Sequence, residues 1–148
     1  MAHREPRRTQ LTRAISRSWL SIKQAGRRLL AELNYDLTFE QLMVLFILAD
    51  RDGQNLRALA SQADRDRTTM TRMIDGLERR NLVVRVPGRD DRRNKIVYLT
   101  RSGRKMTEAL ETESVTFENQ AFKGVSLKQT EEAVKVLNRI SENLGYEE

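Results

Sequence analysis

A dense cluster of hydrogen-bonding side chains occupies the middle of the chain: Arg67, Thr68, Thr69, Thr71 and Arg72. The arginine guanidinium is a planar fork of donors that matches phosphate and guanine edges, and threonine adds a hydroxyl beside a methyl group. Three threonines in four positions lower the propensity of a helix. This cost favours a recognition surface for a polyanion. The alternative is an exposed helix start decorated with β-branched residues.

A second cationic cluster follows in a polar loop between two apolar runs, and we name residues 87–94 the wing loop. Its cations, with the lysine that follows it, are Arg89, Arg92, Arg93 and Lys95, and Asp90 and Asp91 lie among them. Such a loop can follow a phosphate backbone and insert an arginine into a narrow minor groove. The acidic pair can restrain the arginines before binding. The alternative is a solvated, self-neutralised loop, but its position after a helix-turn-helix favours contact with DNA.

Other chemistries lack the residues they need. The 148 residues include no Cys and one His, which excludes disulfides, thiol catalysis, thiol redox sensing and zinc-thiolate sites. We find no nucleophile–His pair, glycine-rich phosphate loop or metal-ligand spacing, so we expect neither an enzyme, a cofactor nor a metal site. The longest apolar run, residues 42–49, is far shorter than the roughly 20 residues of a membrane span. No apolar segment follows the charged N-terminus, so we expect a soluble, cytoplasmic protein.

Positive charge is concentrated in two blocks of the chain. Residues 1–30 carry 8 basic and 1 acidic side chains, and residues 56–105 carry 14 and 6. Residues 31–55 and 106–148 are net acidic. This distribution says more than the total of +6, because both cationic clusters fall in the central block. It favours a nucleic-acid footprint there.

The hydrophobic pattern predicts six helices and a two-stranded hairpin. The helices span about residues 9–33, 39–49, 56–63, 67–80, 101–122 and 127–144, and the strands span 82–86 and 95–99. Their predicted N-caps are Thr38, Asn55, Asp66, Thr100 and Ser126. In the fourth helix Met70, Met73, Ile74 and Leu77 should point inward. The fold class is thus mainly α with a small β-hairpin wing, in which a winged helix-turn-helix is flanked by long helices.

The first helix carries an apolar stripe at heptad-like spacing, formed by Ile15, Trp19, Ile22, Gly26, Leu29 and Leu33. Gly26 within the stripe predicts a close backbone approach. At about 1.5 Å per residue this helix is too long for a small core to cover. A partner chain is therefore expected.

Residues from about Leu37 to Arg104 resemble the MarR/SlyA family of bacterial winged-helix regulators. The matching stretches are Asp66 to Glu78, Asn81 to Val83, Asp90 to Arg93, and Val97 to Gly103. Asn81 stands where the family more often has Gly, and Asn also tolerates the left-handed conformation.

The resemblance implies an obligate homodimer on a pseudopalindromic duplex site, with recognition helices about 34–36 Å apart. It assigns Arg93 to the minor groove, Asp91 to holding Arg93, and Arg72 with the threonine cluster to the major groove. Residues 1–35 and 105–148 would then form the dimerisation region, and residues 36–104 would bind DNA, within a single MarR-type domain.

Family members often respond to small aromatic or lipophilic effectors. Residues that could line such a pocket here are Trp19, Ile22, Met43, Phe46 and Ile47, although plain core packing explains the same stripe. We therefore expect a sequence-specific transcriptional regulator, a dimeric repressor of MarR type relieved by an organic ligand. The alternative is a winged-helix adaptor that binds proteins without sequence-specific DNA binding.

Overall fold

The structure, a computed structural model, describes residues 7–88 and 94–146 and is mainly helical. Its helices are α1 (Arg7–Glu32), α2 (Phe39–Asp50), α3 (Leu56–Gln62), α4 (Arg67–Arg79), α5 (Arg101–Ala121) and α6 (Leu127–Asn143). Its strands are β1 (Gln54–Asn55), β2 (Val83–Pro87) and β3 (Lys95–Leu99). The predicted fold class is confirmed, and the predicted bounds of β3 match the observed ones.

The predicted caps position the helices of the winged region. Thr38 and Gln41 form a reciprocal capping box at α2, and Ser126 and Gln129 form another at α6. The Asn55 side chain accepts from the backbone N–H of Ala58, and the Thr100 hydroxyl accepts from that of Gly103. Each contact satisfies a backbone donor that the first turn of a helix leaves free. These side chains therefore fix where the elements around the site begin.

The sheet has three antiparallel strands in the order β1-β3-β2, where the sequence predicted two. Gln54, placed in a turn by the sequence, pairs with Val97, and Asn55 pairs with Ile96. The Gln54 side chain is buried, and its amide donates to the carbonyl oxygens of Arg51 (2.7 Å) and Ile47 (3.3 Å) at the end of α2. Two residues are too few to show a strand period, so β1 was not visible in the sequence.

The chain forms two compact units, one ending at Thr107 and the other beginning at Glu108. In the first unit α2, α3, α4 and the sheet enclose a core. Its members are Val44, Leu45, Leu48, Leu59, Ala60, Met70, Ile74, Leu77, Leu82, Val83, Val97 and Leu99. The predicted inward face of α4 is confirmed, with Met73 partly buried against the same core. This core supports α4 from behind and leaves its opposite face open.

Two backbone positions show why particular residue types are needed. A Cβ atom added to Gly26 would lie 2.5 Å from Cε2 of Phe39, so the close approach at Gly26 is made by the Phe39 side chain of α2. Asn81, just after α4, has φ 56°, the left-handed conformation that Asn tolerates. The turn that it makes leads α4 directly into β2.

Candidate nucleic-acid interface

The N-terminus of α4 is fixed by Asp66, which also accounts for one of the threonines. The Asp66 carboxylate accepts from the Thr69 backbone N–H (2.8 Å) and from the Thr69 hydroxyl (2.6 Å). Both bonds hold the pKa of Asp66 below its ordinary value, and the bond from the Thr69 hydroxyl has the larger effect. Thr69 is half-buried and serves the cap, so helix capping explains its residue type.

The other residues of the α4 cluster divide by exposure. Arg67, Thr68 and Arg72 are exposed, whereas Thr71 is half-buried and its hydroxyl donates to the Arg67 carbonyl oxygen at 2.9 Å. At 3.6 residues per turn, Thr68 and Arg72 lie close together on the face opposite the core residues Met70 and Leu77. This face presents two long cations and one hydroxyl outward, the groups that an α-helix would bring to base edges and phosphates.

A groove of about 400 Å³ lies beside α4, and we name it the basic groove. Its lining residues are Leu56, Arg57, Arg67, Thr71, Arg85, Asn94 and Lys95. Four of these seven residues are cationic, and they come from α3, α4 and both wing strands. A low-dielectric cleft lined by one sign of charge concentrates counter-ions. The basic groove therefore suits an extended anion.

The wing loop closes at its base through a hydrogen bond from the Gly88 N–H to the Asn94 carbonyl oxygen, 2.8 Å. Lys95 is exposed at the first position of β3, opposite Pro87, as the sequence predicted for the second strand. The predicted contact residues Arg89, Asp91, Arg92 and Arg93 lie outside the described residues. Their assignment stays a prediction from the sequence.

Arg85 was not singled out by the sequence, although it lies at the centre of the site. Its Nη1 is 2.8 Å from a Glu78 carboxylate oxygen, and its Nη2 is 2.6 Å from Asp75 and 3.2 Å from the Thr71 carbonyl oxygen. We name Arg85, Thr71, Asp75 and Glu78 the Arg85 network. The sequence contained a signal for this network. Arg85 lies two residues after Val83 and so shares its face of β2, and two carboxylates, Asp75 and Glu78, lie three residues apart on the preceding helix. Arg57, Leu56 and Asn94 were missed because only the fold brings them to α4.

The residues predicted for an effector pocket have different surroundings. Trp19 and Ile22 are exposed on α1. The Trp19 ring packs edge to face against the Phe39 ring, with 5.9 Å between the ring centroids. Met43 and Phe46 are half-buried on α2. Ile47 packs against the core of the first unit. The pocket itself stays a prediction.

Within residues 7–88 and 94–146 no group of three or more His, Cys, Asp or Glu side chains is arranged to hold a metal ion. Over the same part of the chain, every helix is too short or too polar to cross a membrane.

The model of the MarR family matches residues 37–95, which include α2, α3, α4, β2 and the wing loop. SarZ, an HTH-type transcriptional regulator of Staphylococcus aureus, is 28% identical over 113 residues, 76% of this chain and 75% of SarZ. The chain is similar to the MarR family over its winged region, and to a transcriptional regulator over three quarters of its length. The resemblance predicted from the sequence is confirmed.

Solved structures agree with this assignment over nearly the whole chain. The S. aureus MepR–DNA complex matches with a TM-score of 0.75 and 28% identity, covering 92% of this chain and 96% of MepR. BldR from Sulfolobus solfataricus shares the fold, with a TM-score of 0.81 and 23% identity over 93% of this chain and 96% of BldR. The family model, SarZ and MepR together show a transcriptional regulator and not an enzyme, as the sequence predicted.

Proposed function

We propose that this chain regulates transcription by binding double-stranded DNA sequence-specifically through α4. The observation that carries the proposal is the outward face of α4, where Arg67, Thr68 and Arg72 lie beside the basic groove. An α-helix fits the major groove, and the N-terminal part of the second helix of a helix-turn-helix meets the bases. The similarity to MepR, solved in complex with DNA, supports DNA binding by a chain of this fold.

The wing supplies the second contact of the proposed complex. Arg89, Arg92, Arg93 and Lys95 lie along the phosphate backbone, Arg93 enters the minor groove, and Asp91 holds it. The basic groove lies between α4 and the base of the wing, and its cations other than the paired Arg85 accommodate the intervening phosphates: Arg57, Arg67 and Lys95. A cytoplasmic location follows from the proposed partner, chromosomal DNA.

The active form in this proposal is a homodimer on a pseudopalindromic site. Residues 1–35 and 105–148 supply the dimerisation region, and residues 36–104 supply the DNA-binding region of one MarR-type domain. Support comes from apolar side chains that a single chain leaves exposed: Leu11, Ile15, Trp19 and Ile22 on α1, and Leu127, Val134 and Leu137 on α6.

The dimer acts as a repressor that a small aromatic or lipophilic effector releases. Trp19, Ile22, Met43, Phe46 and Ile47 are the proposed lining residues. An effector lowers DNA affinity only if it binds more tightly to the dimer arrangement that cannot bind DNA. The largest possible loss of DNA affinity is set by the ratio of the effector's affinities for the two arrangements.

The test begins with enrichment of duplexes from a random-sequence pool by the wild-type chain. Arg72→Ala should weaken binding to the enriched duplex about tenfold or more, since a bidentate base contact contributes roughly 1–3 kcal/mol. Arg139→Ala on α6 removes the same charge and should leave affinity nearly unchanged. Fluorescence anisotropy over a salt series measures both affinities. For each phosphate contact, the logarithm of the association constant should fall by about 0.9 per tenfold rise in salt concentration.

Arg93→Ala tests the wing in the same assay and should also weaken binding. Unchanged affinity at moderate salt would contradict the wing assignment. If the wild-type chain binds no duplex at any salt concentration, DNA recognition is wrong and the adaptor function is favoured.

A further inference from the structure

Arg85 is a cation at an inward-facing position of a strand. Side chains alternate along β2, so Arg85 points to the same side as Val83, which is buried in the core. The Arg85 side chain is only 15% exposed. Burying a guanidinium costs free energy unless its charge and donors are satisfied. The position therefore requires partners, and α4 provides them for both terminal nitrogens, whereas Nε is buried without a hydrogen-bond partner among the described residues.

The partners form a stripe along one side of α4. Thr71, Asp75 and Glu78 are spaced by four and three residues, so they lie above one another over two turns of the helix. Glu78 is held twice, because its other carboxylate oxygen accepts from the Arg85 backbone N–H at 3.2 Å. One side chain thus fastens the wing strand to both ends of a segment about 10 Å long.

This segment begins among the DNA-facing residues. Thr71 lines the basic groove, and its neighbours in sequence include Arg72 on the outward face. The bond from Arg85 to the Thr71 carbonyl oxygen therefore joins the wing strand to the part of α4 that reads bases. A rotation of α4 relative to the wing would break all three contacts of the guanidinium.

The network also controls charge at the interface. Asp75 and Glu78 are 41% and 39% exposed, so both carboxylates can act on a nearby phosphate backbone. Arg85 lies between them and compensates part of their charge. Without it, two carboxylates would face a polyanion at the edge of the reading helix.

We propose that Arg85 is a positioning residue for DNA recognition, which sets α4 relative to the wing and compensates Asp75 and Glu78. It acts through the Arg85 network and not through a contact of its own with DNA. The inference rests on the proposed function, because it requires α4 to read duplex DNA.

The experiment compares two probes: the duplex enriched from the random pool by the wild-type chain, and a scrambled duplex of equal length. Arg85→Met should lower affinity for the enriched duplex about tenfold, the size of one lost base contact, and lower that for the scrambled duplex less. Arg79→Met removes the same charge from an exposed site on α4 and is the matched control, expected to change both affinities equally.

Two further variants separate geometry from charge. Arg85→Met combined with Asp75→Asn and Glu78→Gln removes the uncompensated carboxylates, so it should restore binding to the scrambled duplex but leave the enriched-to-scrambled ratio low. Arg85→Lys keeps the charge but loses the planar fork, so its ratio should fall between those of Arg85→Met and the wild type. Circular dichroism melts verify folding, and Arg85→Lys decides the question if Arg85→Met does not fold.

Restoration of both affinities by the triple variant would overturn the positioning role, because charge alone would then explain the loss. An unchanged ratio in both Arg85→Met and Arg85→Lys would overturn it as well. Failure of the wild-type chain to bind any duplex would instead refute the proposed function, and this inference with it.

Discussion

The core of the first compact unit and helix α6 of the second unit differ in how far their apolar side chains are buried. Leu45, Ile74 and Leu77 of the first unit are fully buried within one chain. In contrast, α6 buries none of its residues, and Leu127 and Leu144 are 84% and 82% exposed. Exposed apolar stripes of this length mark interaction surfaces. The first unit therefore has an apolar core within one chain, whereas the apolar side chains of α6 stay exposed in one chain.

Helix α1 combines both properties along its length. Leu30 near its end is buried, and Gly26 lies against Phe39 of α2. Towards its start Leu11, Ile15, Trp19 and Ile22 are exposed. The C-terminal part of α1 is thus packed against the first unit, whereas the apolar side chains of its N-terminal part are exposed to solvent in one chain. This pattern is expected of a helix whose end packs in the first compact unit and whose start contributes to the proposed dimer interface.

The largest effect is expected in the core of the first unit. Leu77→Ala should lower the free energy of unfolding by about 2–5 kcal/mol, because it removes buried methyl groups and leaves a cavity. Val84→Ala, on the outward side of β2, is the control and should cost no more than about 1 kcal/mol. Urea denaturation followed by circular dichroism measures both. Equal losses for the two variants would contradict the contrast between core and surface.

The next effect concerns α6 and is expected to depend on protein concentration. Leu137→Lys places a charge in the apolar stripe and should raise the dimer dissociation constant about tenfold or more. Asn143→Lys adds the same charge about 120° away around the helix and should leave the dimer intact. Sedimentation velocity across a dilution series reports the dissociation. If both variants have the mass of the wild type, α6 is not the covered face.

Local signals in the sequence were sufficient for most of the fold. Capping residues such as Thr38 and Ser126 predicted the starts of helices, and the change of period after Asn81 predicted the wing strands. Both signals act within a few residues, so they are visible without knowledge of tertiary structure. The family model and the solved relatives then confirmed the class of regulator.

The candidate site was only partly predictable, because its remaining parts depend on contacts across the fold. Strand β1 is defined by pairing with a segment more than forty residues away. Arg85 was not predicted, because its partners on α4 come together with it only in the folded chain. Thr69 looked equivalent to Thr68, and only the geometry of the Asp66 cap separates the two.

The smallest expected effect is a dependence on pH where α1 joins the first unit. The Glu40 carboxylate accepts a hydrogen bond from Lys23 of α1, with Arg27 at 4.0 Å, and the Lys23 bond chiefly holds the pKa of Glu40 below 4.5. A carboxyl with a lowered native pKa stabilises the fold above its unfolded pKa, and this contribution disappears as pH falls through the native value.

Glu40→Gln should therefore cost less than about 1 kcal/mol at neutral pH and progressively less below pH 4.5, as expected for a partly exposed ion pair. Urea denaturation of both chains between pH 7 and pH 3 measures the difference. Gln24→Ala, at an exposed site on α1, changes no titratable group and should show no such trend. A difference that stays constant across the range would mean that the Lys23–Glu40 pair does not fasten α1. The apolar contacts of Gly26 and Leu30 would then hold α1 without the ion pair.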